Sequence, residues 1–325
     1  MIHDFDPAIA TTPFGAIYWY GAVYSLGFLG IFLWFWFRRH LRRMTDADVF
    51  TLSILFAVGV LIGGRVFDIL VYEFDYYRAH PLAVLNWWEG GMASHGVLLG
   101  GLIAILIFAR LRGYSIVALL DEVVVPGVFL LAIGRFGNFI EGGVVGSPTS
   151  MPWGFVYADL EGARHPVALY ESAKNFVILP ILIWAIARWR PGHGVAASLF
   201  VLLYAGLRFA VDLFRDYEAA WLGIGTGQVF NLVMAAAGLA MLVWSLRSGH
   251  RIPSPATPKP KAAGWLQVVL LVFLILYPLG IPTSWTRANI TQKRQDAREE
   301  AQGNALRSPT ISQIRPMEKA TTPQA

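Results

Sequence analysis

Nine ionisable side chains sit inside stretches of sequence that are otherwise apolar: Arg65, Asp68, Asp121, Glu122, Arg135, Glu171, Lys174, Arg208 and Asp212. Within a membrane-spanning helix each such charge costs about 3 kcal/mol or more, so each asks for a reason. His95, Asn138 and Glu141 stand at the edges of the same stretches, and Tyr20 lies early in the first. Arg65, Arg135 and Arg208 fall at similar depths without enough acids there to neutralise them. That pattern suits an anion, and in a membrane the available anion is a phospholipid phosphate, which guanidinium grips through paired hydrogen bonds. His95 supplies a group able to exchange a proton near neutral pH. A plainer reading stands beside this one. Arg208 and Asp212 are spaced i,i+4, and Arg65 and Asp68 i,i+3, so each pair can simply neutralise itself. Asp121 and Glu122, toward the other ends of the helices, read as structural. Arg38, Arg39, Arg42 and Arg43 read as topology determinants and nothing more.

The elements that must position these residues are helices. The chain has 325 residues, 56% hydrophobic and 14% charged, against about a quarter charged in soluble domains. The apolar residues come in blocks of about 20, the length that crosses a bilayer. Helices are predicted at 16–37, 48–72, 95–111, 116–139, 167–188, 194–214, 226–247 and 264–281. Thr45 with Asp48 forms a capping-box pattern, and Ser115 and Thr226 suit N-cap positions. No charged leader with a cleavage site precedes the first block, which therefore reads as the first membrane helix. Basic residues cluster after the first, third, fifth and seventh helices (Arg38–Arg43, Arg110 and Arg112, Arg188 and Arg190, Arg247 to Lys261). This places the N-terminus outside and sets the polar group at the outer side.

The predicted fold is an all-α polytopic integral membrane protein. A seven-helix core fills 1–250, a Pro-rich cytoplasmic linker 251–263 and an eighth transmembrane helix 264–281. A polar, disordered tail occupies 282–325. The outer loops 73–94 and 140–166, with Trp87, Trp88, Trp153 and Tyr157, are expected as amphipathic segments at the headgroups. Gly63, Gly64, Gly96, Gly100 and Gly101 allow close helix approach. The absence of cysteine excludes disulfides and thiolate metal sites. Scattered basic residues argue against nucleic-acid binding. No phosphate loop, His-x-x-x-His spacing or Gly-x-Ser-x-Gly elbow is present. Polar groups gathered at one side also argue against a channel.

Several motifs together resemble one family. GRFGNFIEGG at 134–143 is similar to the prolipoprotein diacylglyceryl transferase signature, close to G-R-x-G-N-F-x-N-G-E. In the same order along the chain, WYG at 19–21, GGR at 63–65, GMASHG at 91–96, RHPVALYE at 164–171, RFAVDLFR at 208–215 and GQ at 227–228 resemble the family's other motifs. The resemblance spans roughly 5–247.

It implies a bacterial inner-membrane enzyme, its site toward the periplasm, without metal or cofactor. That enzyme moves diacylglycerol from phosphatidylglycerol to the lipobox cysteine thiol of a preprolipoprotein signal peptide. His95, Arg135, Arg208 and Tyr20 would carry the chemistry. Asn138, Gly137, Arg65, Glu141, Asp212, Gly146, His165 and Glu171 would bind substrate. Two departures leave other readings open. Glu141 and Gly143 stand where the family has Asn and Glu, and Asp212 replaces its usual Glu. These changes suit a paralogue with another acceptor; a non-catalytic lipid-binding or assembly protein is the further alternative.

Overall fold

The computed structural model describes residues 1–13, 15–72, 74–85, 93–142, 144–157, 160–189, 192–215, 226–248 and 262–280. Helices dominate: α1 (Trp19–Arg42), α2 (Asp46–Phe67), α3 (Phe74–Ala79), α4 (Ser94–Arg112), α5 (Ile116–Glu141), α6 (Val167–Trp189), α7 (Val195–Asp212), α8 (Thr226–Ser248) and α9 (Trp265–Leu276). A π-helical turn, Asp68–Tyr72, prolongs α2; 3-10 turns follow α3 (Pro81–Leu85) and α9 (Tyr277–Gly280). Two small antiparallel hairpins pair β1 (Ala8–Thr12) with β2 (Gly15–Tyr18) and β3 (Phe155–Val156) with β4 (Ala163–Arg164). Among the described residues six helices are long and apolar enough to cross a membrane, namely α1, α2 with its π turn, α5, α6, α7 and α8, with α9 and its turn a shorter apolar segment. The 19-residue α4 lies along α2. The molecule is the polytopic all-α membrane protein that its composition predicts.

Successive long helices alternate in direction. The proximal end of the bundle gathers the N-termini of α1, α4, α6 and α8 with the C-termini of α2, α5 and α7. The distal end holds ion pairs that tie neighbouring helices. Glu122 on α5 is fully buried and accepts from Trp34 Nε1 at 2.9 Å and Arg38 Nε at 2.8 Å, with Arg42 Nε at 2.7 Å. Arg38 and Arg42 therefore clamp α1 to α5, a packing role beyond the topological one expected of them. Asp121 accepts the backbone N–H groups of Gly192, Gly194 and Ala197 at 2.8–2.9 Å, capturing the turn between α6 and α7. Both acids are structural, in line with their sequence reading.

Glycine sets the α2–α4 crossing. A Cβ on Gly100 would lie 2.8 Å from the Gly59 carbonyl carbon and 3.0 Å from the Gly63 Cα. One on Gly96 would lie 2.8 Å from the Gly63 carbonyl carbon. The four glycines, at i,i+4 on each helix, let the backbones touch.

The capping predictions hold at Thr45, which accepts from the Asp48 N–H and whose own N–H bonds to Asp48, and at Ser115, which accepts from Ala118. The Thr226 side chain lies outside the described residues. The first helix starts at 19 rather than 16, because 15–18 pair as β2, and runs on to 42 because Arg38 and Arg42 find Glu122. The segment 140–166 is not an amphipathic helix beyond Glu141; its described part turns back as β3 and β4. Gly142 and Gly162 adopt positive φ there, and Pro148 and Pro152 disfavour helix. The other expected interfacial loop carries α3 and its 3-10 turn, while Trp87 and Trp88 fall outside the described residues. So do 251–261, most of the expected linker, and 281–325, the tail.

Candidate active site

The centre of the proximal end is one carboxylate. Glu171, one turn into α6, has no solvent exposure and is shared by four cations. Arg208 of α7 pairs with its Oε1. Arg215 lies 3.8 Å from the same oxygen; Lys174 and Arg135 lie 3.4 and 3.8 Å from Oε2. Asp212 adds a second acid, 3.3 Å from Arg208 Nε and 3.7 Å from Arg215 Nε, and accepts from Asn231 of α8 at 2.8 Å. Among the described residues, four cations around these two carboxylates leave a surplus of two positive charges. With Glu141 counted, which lies within electrostatic reach of Tyr20, positive charge still exceeds negative. A partly exposed arginine pair held by a buried acid is a preorganised receptor for an anion.

Arg135 also donates to Asn138 Oδ1 at 3.3 Å. With that oxygen engaged, the amide NH2 is the half of Asn138 able to donate to a ligand. Gly137 faces α1 with its Cα hydrogen; a Cβ there would meet Val23 at 3.3 Å and the Tyr20 Cα at 4.0 Å. Tyr20 is thereby brought beside α5, where its hydroxyl meets that of Tyr24 at 3.3 Å and lies within electrostatic reach of Arg135.

A second layer covers this group. His165 Nδ1 meets the Tyr170 hydroxyl at 3.0 Å, the Trp153 indole donates to that hydroxyl at 2.7 Å, and the imidazole packs edge-on against Phe214. The His165 carbonyl accepts from Gly146 N–H at 3.0 Å. A side chain on Gly146 would strike the carbonyls of Phe214 and His165 at 2.6 and 2.7 Å, so its requirement is steric. His3 stacks on Tyr157 and reaches the Phe139 carbonyl at 2.5 Å. Burial pushes the Tyr157 hydroxyl up to about 12, so that contact is with a neutral phenol.

The sequence-derived set thus divides. Arg135, Arg208, Glu171, Asp212 and Asn138 are brought together, with Tyr20, Gly137 and Glu141 at their edge; His165 and Gly146 build the cover. Arg65 is elsewhere: it is buried, donates to the Ala83 carbonyl at 3.1 Å and stacks over Tyr77, holding the segment after α2. His95 occupies the first turn of α4 at the proximal end, its side chain outside the described residues, as is Gly143. Reasoning from sequence missed Arg215, Lys174 and Asn231 as members of the cluster. Arg215 lies seven residues after Arg208, the same face of a helix two turns on, a signal that could have found it.

Known proteins match this chain along the same stretch. The family model described as prolipoprotein diacylglyceryl transferase matches residues 7–244. The phosphatidylglycerol–prolipoprotein diacylglyceryl transferase of Cupriavidus pinatubonensis is 38% identical over 266 residues, 77% of this chain and 95% of the relative. Its namesake from Nitrosomonas europaea is 38% identical over 276 residues, 80% and 98% of the two chains. That from Chromohalobacter salexigens is 39% identical over 254 residues, 75% and 94%. On these grounds the chain belongs to the prolipoprotein diacylglyceryl transferase family.

Proposed function

We propose that the protein transfers the diacylglyceryl group of phosphatidylglycerol to the lipobox cysteine of preprolipoproteins. The observation that supports this reading most is the gathering of Arg135, Lys174, Arg208 and Arg215 around Glu171 and Asp212, two more cations than carboxylates among the described residues. The donor arrives as a phosphodiester with one negative charge and leaves as glycerol phosphate with two. Arg135 and Arg208 bind the phosphate, and Asn138 donates to the headgroup. The acceptor thiol loses its proton, with His95 as the group that takes it or orients the thiol. The sulfur attacks the glyceryl carbon, the C–S bond forms, and the C–O bond to phosphate breaks with its electron pair staying on oxygen. The negative charge that left the thiolate then rests on the phosphate, where the two guanidiniums stabilise it more strongly than the ground state. Glu171 holds those guanidiniums in place before substrate arrives. Gly137, Gly146, His165, Asp212 and Glu141 shape the site around them.

The site faces the periplasm from the bacterial inner membrane, a reading supported by the arginines of Arg38–Arg43, Arg110, Arg112, Arg188 and Arg247 at or beyond the distal helix ends. A second reading, transfer to another acceptor, is favoured by Glu141 standing where the family has Asn. Complementation of a conditional transferase-null strain tests both. Rescue with a mobility-shifted lipoprotein supports the first. Failure by a well-expressed, inserted protein sinks it in favour of the second.

A further inference from the structure

Helix α9 lies beyond the stretch matched by the family model, which stops at residue 244, yet it is packed into the core. At its start Gln267 donates to Thr51 Oγ1 at 3.0 Å, near the distal beginning of α2. One face, Leu271, Leu274 and Pro278, is buried; Leu274 joins the cluster of Phe28, Ala57, Val60 and Leu61 between α1 and α2. The opposite face, with Val269, Val272, Phe273 and Leu276, is exposed and apolar. At its end the Tyr277–Gly280 turn seats on α1: a Cβ on Gly21 would lie 2.9 Å from the Pro278 carbonyl carbon and 3.0 Å from the Leu279 oxygen. Gly21 follows Tyr20 directly. Tyr24, the hydroxyl partner of Tyr20, and Tyr277 pack against the same cluster, and the Tyr277 hydroxyl is within electrostatic reach of Arg65. The helix therefore runs the depth of α1 and α2, filling the groove between them up to the level of the site.

We infer that residues 265–280 form a fixed wall of the phospholipid site, closing its α1–α2 side, with Tyr277 and Pro278 as positioning residues behind the Tyr20–Tyr24 pair. This rests on the phosphatidylglycerol reading above. With that side sealed, acyl chains reach the arginines from another flank of the bundle, and α9 presents its own apolar face to lipid.

The test uses the full chain in detergent, reading thermal stabilisation by phosphatidylglycerol against phosphatidylethanolamine, which needs no acceptor. Tyr277→Ala is expected to weaken phosphatidylglycerol binding about tenfold, the scale of one lost aromatic contact, while Tyr277→Phe retains it. In the transfer assay the Ala variant raises KM by a similar factor with kcat nearly unchanged, the mark of lost ground-state positioning. Because the chain has no cysteine, Thr51→Cys with Gln267→Cys can be bridged by a short reducible bis-thiol reagent; the bridged protein keeps full binding and transfer. Unchanged affinity in Tyr277→Ala, with the wild type stabilised normally, overturns the wall. Loss of activity on bridging that reduction restores also overturns it, since α9 would then have to leave its groove. A wild type that phosphatidylglycerol does not stabilise removes the functional reading itself.

Discussion

The division of labour between Arg135 and Glu171 makes separate, checkable claims about single side chains. Arg135→Lys keeps the charge but loses the planar fork, and transfer is expected to fall about 100-fold, the usual scale for one lost donor to developing charge. Initial-rate assays with phosphatidylglycerol vesicles check this. Glu171→Gln removes the shared anion, so four cations repel one another. Both transfer and thermal stability should drop, and a variant with native melting and native rate would contradict the shared-carboxylate picture. The residues at stake were legible in the sequence because charge within an apolar helix is costly and therefore rare. What the sequence withheld was who pairs with whom. Arg65 stands in a family motif, and its guanidinium reaches the Ala83 carbonyl and the Tyr77 ring. That choice depends on where the chain returns after α2, which no local spacing encodes.

At the scale of elements, helix existence followed from block length, whereas the ends followed from tertiary partners: α1 is extended by Glu122 on a different helix, and the 3-10 turn that closes α9 seats against Gly21 of α1. The hairpins escaped prediction because strands of 2–5 residues carry no periodicity to read. The α2–α4 crossing gives a sharp contrast. Gly100→Val forces a side chain into the α2 backbone and should cost roughly 1–3 kcal/mol or more, with a visible loss of melting temperature. Gly30→Ala, where nothing lies within 4 Å, should leave melting unchanged. Transfer should fall with Gly100→Val too, because α4 carries His95 five residues before that position. At the distal end, Glu122→Ala strands two guanidiniums and should destabilise by about 3–5 kcal/mol; scanning unfolding in detergent measures it.

For the whole molecule, the charge asymmetry that fixes orientation can be read directly. The cysteine-free chain makes Met151→Cys and His40→Cys unique labels near opposite ends. A membrane-impermeant maleimide should modify Met151→Cys on intact spheroplasts and His40→Cys only after lysis; the reverse order would invert the topology. The same global view bears on how the enzyme turns over. Asp121 fastens the α6–α7 turn to α5 at the end remote from the arginines, so the three helices bearing Arg135, Glu171 and Arg208 are joined like tongs at their handle. Displacement grows with distance from such a pivot. Fourteen residues separate Asp121 from Arg135, about 21 Å of helix, so a tilt of about 5° swings the guanidinium by about 2 Å. The end remote from the pin, where the phosphate-holding arginines sit, is therefore where a small change in helix angle alters the geometry most.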